Sequence, residues 1–249
     1  MSLLKDKTVF ITGASSGIGA ACARAFAAEG CRLILLARRG ERLAALEAEL
    51  KVPVRTITAD VRDRKALETA LKSVDEVDVL VNNAGLALGT DKLHEAAPED
   101  HDTMIDTNVK GVLNINRILT PRMIRRGHGD IIHIGSIAGH EVYPGGSVYC
   151  ASKHAVDALV KGLRMDVVDT PLRVSSIDPG LVETEFSVVR FHGDAHRADQ
   201  VYRGLEPLIG DDIAAIAVFI ASRPPHVQIA DVVVFPTAQA SATVVHRSE

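Results

Sequence analysis

Short apolar segments alternate with longer segments of helical period along most of the chain. The apolar segments are rich in branched residues and have the length of strands: 8–11, 32–36, 54–58, 77–81, 130–134, 173–177 and 232–235. The longer segments repeat apolar residues every three or four positions, as helices do: 19–29, 40–50, 64–74, 155–168 and 211–222. Short strands that are apolar throughout are typical of a sheet covered by helices on both faces. The pattern predicts an α/β protein with a doubly wound parallel sheet of seven strands.

One segment, 186–208, does not fit this alternation. It follows a strand end directly and mixes apolar with charged residues, so it is either a lid over a ligand or a plain surface excursion. The ligand crevice of an open α/β sheet lies beyond the carboxyl ends of the strands, and this location favours the lid. No linker or repeat interrupts the rest, so we expect one domain, 1–249, with a substrate lid at about 186–208.

A glycine-rich loop follows the first predicted strand and opens a helix of small residues. Its glycines, Gly13, Gly17 and Gly19, suit a tight turn, a close approach of the backbone to a pyrophosphate, and close packing of helix on strand. The phosphates would lie at the helix N-terminus, where free amide groups meet them. The position between strand and helix therefore predicts a dinucleotide site formed by Gly13, Ser15, Ser16, Gly17, Ile18 and Gly19.

The second strand ends at Arg38 and Arg39, where an NAD site usually carries an acidic residue for the ribose 2′-hydroxyl. An arginine there accommodates the 2′-phosphate of NADP instead, which predicts NADP as the cofactor. Arg38 carries more of this prediction, since Arg39 is equally explained as a surface residue. Glu41 is nearby, but its carboxylate is explained by the start of a helix.

Two more polar groups stand at strand ends that face the same crevice. Asp60 and Val61 follow the third strand, and Asn83, Ala84 and Gly85 follow the fourth. Simple turn chemistry is the alternative interpretation, because Asn, Asp and Gly favour turns.

Ser136, Tyr149 and Lys153 form the candidate catalytic group. If Tyr149 and Lys153 share a helix, their spacing of four puts both side chains on one face. A tyrosine hydroxyl titrates near ~10, and a neighbouring ammonium stabilises the phenolate, so Lys153 is expected to lower the pKa of Tyr149. Ser136 would hold a carbonyl oxygen beside the proton. Taken alone, Tyr-x-x-x-Lys is a common helical coincidence.

Composition excludes several function classes. A net charge of −4 gives no electrostatic reason to bind nucleic acid or an anionic membrane, and the one basic cluster, 122–126, is interpreted as a helix end. Three cysteines, Cys22, Cys31 and Cys150, lack metal or redox spacing and favour a reduced compartment. No apolar segment reaches the ~20 residues of a membrane helix. We therefore expect a cytoplasmic protein without a metal.

Six motifs stand in one order along the chain and together resemble the short-chain dehydrogenase/reductase family. They are the 12–19 loop TGASSGIG, the 82–85 segment NNAG, Asn108, Ser136, Tyr149-x-x-x-Lys153 and Asp178-Pro179-Gly180. The resemblance implies a Rossmann-type single domain and hydride transfer. It also implies that Tyr149 is the general acid/base, that Ser136 polarises the substrate, that Lys153 binds the nicotinamide ribose, and that Asn108 holds a water of the proton relay.

The same resemblance assigns further residues to the cofactor. Asn83, Ala84 and Gly85 would line the adenosine ribose and nicotinamide, and Asp60 and Val61 the adenine. The nicotinamide would contact Pro179, Gly180, Val182 and Thr184.

Segments 180–194 and 235–241 resemble one branch of that family, the NADP-dependent 3-hydroxy acid dehydrogenases, also called serine or L-allo-threonine dehydrogenases. This closer resemblance implies small 3-hydroxy acids such as serine, L-allo-threonine or 3-hydroxypropanoate as substrates. The resemblance to the wider family, whose members are commonly tetramers or dimers, implies a homotetramer. A reductase of another small carbonyl, such as sulfoacetaldehyde, is the alternative. A non-catalytic NADP-binding regulatory protein is the alternative of another class.

The lid supplies the candidate substrate residues, Phe186 and Arg190. The fork of an arginine matches a carboxylate, so Arg190 either binds the substrate's carboxylate or faces solvent. Four histidines are not assigned to chemistry. His192 and His196 are interpreted as a solvated pair, His133 as a structural residue, and His140 either contacts substrate or fills a loop.

Overall fold

Seven parallel strands form the central sheet of the protein, whose computed structural model describes residues 3–248. Along the chain the strands are β1 (Thr8–Thr12), β2 (Arg32–Ala37), β3 (Val54–Thr58), β4 (Val79–Asn82), β5 (Gly129–Ile134), β6 (Leu172–Pro179), β7 (Val182–Glu183), β8 (Leu208–Ile209) and β9 (Asp231–Val234). The main sheet has the order β3-β2-β1-β4-β5-β6-β9, and β7 pairs with β8 separately. The predicted seven-stranded parallel sheet is confirmed.

Helices cover both faces of this sheet. They are α1 (Gly17–Ala28), α2 (Gly40–Glu49), α3 (Arg64–Ala70), α4 (Pro98–Ile105), α5 (Gly111–Arg126), α6 (Ser147–Asp166), α7 (Phe186–Arg190), α8 (Ala195–Gln200) and α9 (Gly210–Ala221). Apolar side chains of α1, α2 and α9 share one core, and those of α3, α5 and α6 share the core on the opposite face. The predicted double winding is therefore confirmed.

The order in which the strands are added to the sheet reverses between β1 and β4, and this point determines where the site lies. β2 and β3 lie on one side of β1, while β4, β5, β6 and β9 lie on the other. Thr12 at the end of β1 fixes the junction, because its hydroxyl accepts hydrogen bonds from the backbone amides of Asn83 and Ala84, each at 3.0 Å. The loops that follow β1 and β4 therefore meet at one crevice.

Several boundaries differ from the sequence-based expectation. Helix α6 begins at Ser147, well before the predicted 155, because Tyr149 and Cys150 are buried in a small cluster outside the sheet. Helix α3 ends at Ala70 rather than at 74, where the chain passes into turns. Helix α4 and the short elements of 182–209 were not predicted, since elements of two to eight residues leave little periodic signal.

The basic cluster 122–126 ends α5, as predicted, and Gly127 follows it with φ of 81°. Arg122 is not simply solvated, because its guanidinium donates to the carbonyl oxygens of Leu71 and Val74. None of the helices within 3–248 has the length and apolar character to cross a membrane.

Candidate active site

A cavity of about 450 Å³ lies at the carboxyl ends of the central strands. Its walls bring together every predicted site residue except Gly19 and Asn108. The predicted residues that line it are Gly13, Ser15, Ser16, Gly17, Ile18, Arg38, Arg39, Asp60, Val61, Asn83, Ala84, Gly85, Ser136, Tyr149, Lys153, Pro179, Gly180, Val182, Thr184, Phe186 and Arg190.

The glycine-rich loop is braced by the segment after β4. Gly13 has φ of 66°, and a Cβ there would come within 2.9 Å of the Asn83 amide nitrogen. A Cβ at Gly19 would come within 2.4 Å of the Gly13 carbonyl oxygen. Asn83 also donates to the Thr12 carbonyl at 3.0 Å. Gly19 is therefore a packing residue beneath the loop, and the backbone of Gly13 and Gly17 faces the cavity.

Two arginines extend from the end of β2 into this cavity, with different surroundings. The Arg39 guanidinium donates to the hydroxyls of Ser15 at 3.2 Å and Ser16 at 2.7 Å, and to the carboxylate of Glu185 at 2.7 Å. Arg38 is exposed and makes no hydrogen bond to residues 3–248. Arg39 is partly exposed, and its side chain also ties the glycine-rich loop to the predicted lid segment.

The residues after β3 and β6 complete the cofactor end. Burial alone would raise the pKa of Asp60, but hydrogen bonds from Arg62, the closest at 2.7 Å, hold it below its usual value. The Gly180 amide donates to Val234, and the Leu181 amide donates to the Gln239 side chain at 2.8 Å. A Cβ at Gly180 would lie 2.3 Å from the Gln239 oxygen, so the C-terminal segment fixes this loop.

Tyr149 and Lys153 lie one turn apart on α6, as their spacing predicts, and both side chains are buried. Lys153 Nζ donates to the Ile134 carbonyl at 2.9 Å and lies 6.0 Å from the centre of the Tyr149 ring. Ser136 begins a short 3₁₀ turn, and its hydroxyl oxygen accepts from the Ala138 amide at 3.1 Å. That bond leaves the Ser136 hydroxyl proton available, and the hydroxyl is within hydrogen-bonding reach of the Tyr149 oxygen, where a substrate oxygen would meet both groups.

Burial controls the protonation of this pair. It raises the pKa of Tyr149 above its ordinary value; Tyr143 adds to the rise, and the Ser136 hydroxyl and Arg190 oppose it. In this structure the Lys153 ammonium is bonded to the Ile134 carbonyl, and burial sets the direction of the Tyr149 pKa shift. The lowering of the Tyr149 pKa by Lys153 stays a prediction. Burial also lowers the pKa of Lys153 to about 8. Tyr149 therefore carries its proton near neutral pH, as a general acid must before it donates, although the raised pKa makes the donation itself less favourable.

Asn108 does not line the cavity. It lies in a π-helical turn, Asp106–Lys110, between α4 and α5, and its side chain is 1% exposed. Its amide accepts from the Leu86 amide and donates to the Leu86 carbonyl, both at 2.8 Å, and donates to the Ser152 hydroxyl at 3.0 Å. The side chain therefore fastens the loop after β4 to α6. The water-holding role of Asn108 stays a prediction.

A buried carboxylate beneath Lys153 was not predicted. Asp178, at the end of β6, is 2% exposed and accepts from the Ser176 hydroxyl at 2.6 Å. Its other oxygen lies 2.9 Å from His140 Nε2. His140 thus pairs with Asp178 and does not line the cavity. The Asp178 charge opposes the fall in the pKa of Lys153, so it helps to keep the ammonium protonated.

The pH profile of carbonyl reduction should report this arrangement. We expect kcat/KM to fall by about tenfold per pH unit above about pH 8, because Lys153 loses the proton that stabilises a phenolate forming at Tyr149. In Asp178→Asn the fall should begin at lower pH, since the group that raises the pKa of Lys153 is gone. The control is Asp157→Asn, whose carboxylate on the same helix pairs with Lys161. An unmoved profile in Asp178→Asn would contradict this role.

The 186–208 segment covers the substrate end of the cavity. Phe186 packs edge-on against Tyr149, with ring centres 5.7 Å apart. Arg190 donates to the Tyr143 hydroxyl at 3.1 Å and to the Gly89 carbonyl at 3.2 Å. Arg190 therefore faces the cavity rather than solvent, with Tyr143 as a neighbour that the sequence did not identify. The function of the segment as a moving lid stays a prediction.

Two further histidines from the sequence analysis, His133 and His192, have structural partners. His133 is buried with its pKa lowered to about 4, and its Nε2 lies 3.1 Å from the amides of both Asn82 and Asn116, as expected of a structural residue. His192 pairs with Asp100 at 3.1 Å. Within 3–248 there is no group of three His, Cys, Asp or Glu side chains that could hold a metal ion.

The known proteins with similar sequences are dehydrogenases and reductases. The family model described as short chain dehydrogenase matches residues 7–194. An NADP-dependent 3-hydroxy acid dehydrogenase of Schizosaccharomyces pombe is 46% identical over 258 aligned positions, covering 100% of both chains. A sulfoacetaldehyde reductase of Chromohalobacter salexigens is also 46% identical, over 93% of this chain and 94% of that protein.

Among solved structures, the closed form of a serine dehydrogenase complexed with NADP⁺ superposes with a TM-score of 0.92. It is 42% identical in sequence, and the match covers 97% of this chain and 100% of the other.

Proposed function

Because the chain belongs to the short-chain dehydrogenase family, we propose that it interconverts small 3-hydroxy acids and the corresponding 3-oxo acids. The family assignment made from the sequence motifs is confirmed. The protein is an oxidoreductase that acts on CH–OH groups. The substrate class and the roles of individual residues are the proposal.

The cofactor is NADP(H), as Arg38 and Arg39 predicted. The cavity suits it, because Gly13 and Gly17 leave room for phosphates where a side chain would meet Asn83 or Thr184. Arg38, Arg39 and Arg42 bring positive charge to the end where a 2′-phosphate would lie. When bound, the reduced cofactor supplies the hydride.

The proposed substrate class rests on the position of Arg190. Its guanidinium lies in the cavity wall beside Tyr143, in the same cavity as Ser136 and Tyr149. An arginine matches a carboxylate with two parallel hydrogen bonds, and this geometry holds a small hydroxy acid at its charged end. Phe186 would then pack against the short carbon chain between the carboxylate and the reacting carbon.

The proton steps are assigned to the side chains around Tyr149. Tyr149 donates its proton to the carbonyl oxygen in reduction and removes it in oxidation. Ser136 donates a hydrogen bond to the same oxygen. Lys153 stabilises the phenolate, and Asp178 supports its charge from below. Asn108 holds the Leu86 loop in place and supports the relay.

A spectrophotometric assay of the purified protein tests the proposal. We expect turnover with NADP to exceed turnover with NAD, and 3-hydroxypropanoate, 3-hydroxyisobutyrate or serine to be better substrates than isethionate. Preference for isethionate would replace the hydroxy acid proposal with the sulfoacetaldehyde alternative, since Arg190 can also bind a sulfonate. Absence of turnover on every alcohol and carbonyl would contradict the proposal.

The non-catalytic alternative is set aside, because Ser136, Tyr149 and Lys153 share one cavity and the family is enzymatic.

A homotetramer stays a proposal. Exposed apolar side chains on α5 and α6, Leu113 and Met165, support association through these helices.

A further inference from the structure

The carboxylate of Glu185 lies between two arginines at the cofactor end of the cavity. Its Oε2 is 2.7 Å from Arg39 Nη1 and 2.9 Å from Arg42 Nη1. Burial alone would raise the pKa of Glu185, but Arg39, Arg42 and the Ser16 hydroxyl hold it below its usual value, so the side chain is an anion. An internal anion therefore occupies a two-arginine clamp in the wall of the cofactor site.

Arg39 does not depend on Glu185 for its position. Two other hydrogen bonds, to the hydroxyls of Ser15 and Ser16, fix the guanidinium against the glycine-rich loop. Removing the carboxylate would leave the bonds of Arg39 to Ser15 and Ser16 and would free one of its N–H groups. The Glu185 carboxylate therefore occupies the Arg39 Nη1 donor but does not determine the position of the Arg39 side chain.

Positive charges outnumber negative charges around this two-arginine clamp. Arg38, Arg39 and Arg42 are positive, and Arg38 is exposed in the same wall. Asp60 is engaged by Arg62, so Glu185 is the carboxylate directly bonded to the clamp. A phosphate, with more charge and more acceptor oxygens than a carboxylate, is the stronger ligand for paired guanidinium groups.

We propose that Glu185 is a specificity-determining residue of the cofactor site, an internal competitor that the 2′-phosphate of NADP displaces from Arg39 and Arg42. The inference rests on the assignment of NADP(H) as the cofactor. NAD lacks the 2′-phosphate and leaves the contact intact, so Glu185 lowers the affinity for NADP but not for NAD. Glu185 also directly precedes α7, which carries Phe186 and Arg190.

Calorimetric titration of the full chain and of Glu185→Gln tests this proposal. We expect the Kd for NADP and for 2′,5′-ADP to fall by about three- to tenfold in the variant, because one partly exposed ion pair no longer has to be broken. The Kd values for NAD and for 5′-AMP should change less than about twofold. Glu183→Gln is the matched control: Glu183 lies two residues away, has no arginine partner among residues 3–248, and its replacement should change none of these Kd values.

The opposite results have distinct meanings. Weaker or unchanged binding of NADP to Glu185→Gln would overturn the proposal, since Glu185 would then position Arg39 or be irrelevant. A wild-type protein that binds NAD as tightly as NADP would instead contradict the cofactor assignment. The two failures are therefore separable in one set of titrations.

Discussion

Replacing Tyr149 by phenylalanine is expected to lower kcat by about 10³-fold, within the range of about 10² to 10⁴ typical of a positioned general acid. The substitution removes only the hydroxyl, which is the proton donor assigned to the oxygen beside Ser136. The ring remains, and with it the edge-on contact with Phe186. Steady-state and single-turnover assays with NADPH measure the loss.

The fold and cofactor binding should survive this change. Tyr149 is buried among apolar side chains, and a phenylalanine ring fills the same space. We expect the melting temperature to stay within a few degrees and the Kd for NADPH within about twofold. Tyr202→Phe is the matched control: Tyr202 also lines the cavity, but its hydroxyl bonds Ser187 and Val182. If Tyr149→Phe kept more than about a tenth of the activity, the general-acid assignment would be wrong.

The sequence predicted the parts of this site that depend on local spacing. The four-residue step from Tyr149 to Lys153 needs only a helix, and the glycine-rich loop needs only a strand before it and a helix after it. Parallel strands then bring their carboxyl ends to one edge. The arginines after β2 and the polar groups after β4 follow from the same rule.

Other features depend on contacts between distant residues, which spacing does not reveal. The Glu185 carboxylate meets Arg39 only because the loop after β6 crosses to the end of β2. Asp178 meets His140 across two neighbouring strands, and Gln239 reaches back to Leu181 from the C-terminal segment. The local signals that the sequence offers are a carboxylate directly before the predicted lid and a histidine four residues after Ser136.

The pKa of Tyr149 shows, in energetic terms, what the sequence alone could not predict. The sequence places an ammonium four residues from the phenol and so predicts a lowered pKa. The structure buries both groups, and burial, which disfavours a charged phenolate, is the largest cause of the raised pKa of Tyr149. Burial depends on the whole fold, so the sign of the shift could not be read from a four-residue motif.

Arg190 is the residue whose replacement should separate charged from uncharged substrates. In Arg190→Gln we expect kcat/KM for 3-hydroxypropanoate to fall by about 10²-fold, because a desolvated carboxylate that loses its charged partner costs about 2–5 kcal/mol. For methyl 3-hydroxypropanoate, which has the same reacting carbon and no charge, the change should stay within about threefold. The ester therefore reports any general disturbance of the lid.

A matched variant separates the charge of Arg190 from its place in the lid. Arg197 lies in the same segment, stacks on Phe191 at 4.5 Å and bonds Thr90, but does not line the cavity. Arg197→Gln should therefore leave both substrates unaffected. Arg190→Lys should recover part of the activity toward the acid, since lysine keeps the charge but not the two-pronged geometry. Equal losses for acid and ester in Arg190→Gln would show that Arg190 only holds Tyr143 and the Gly89 loop, and the carboxylate would need another partner.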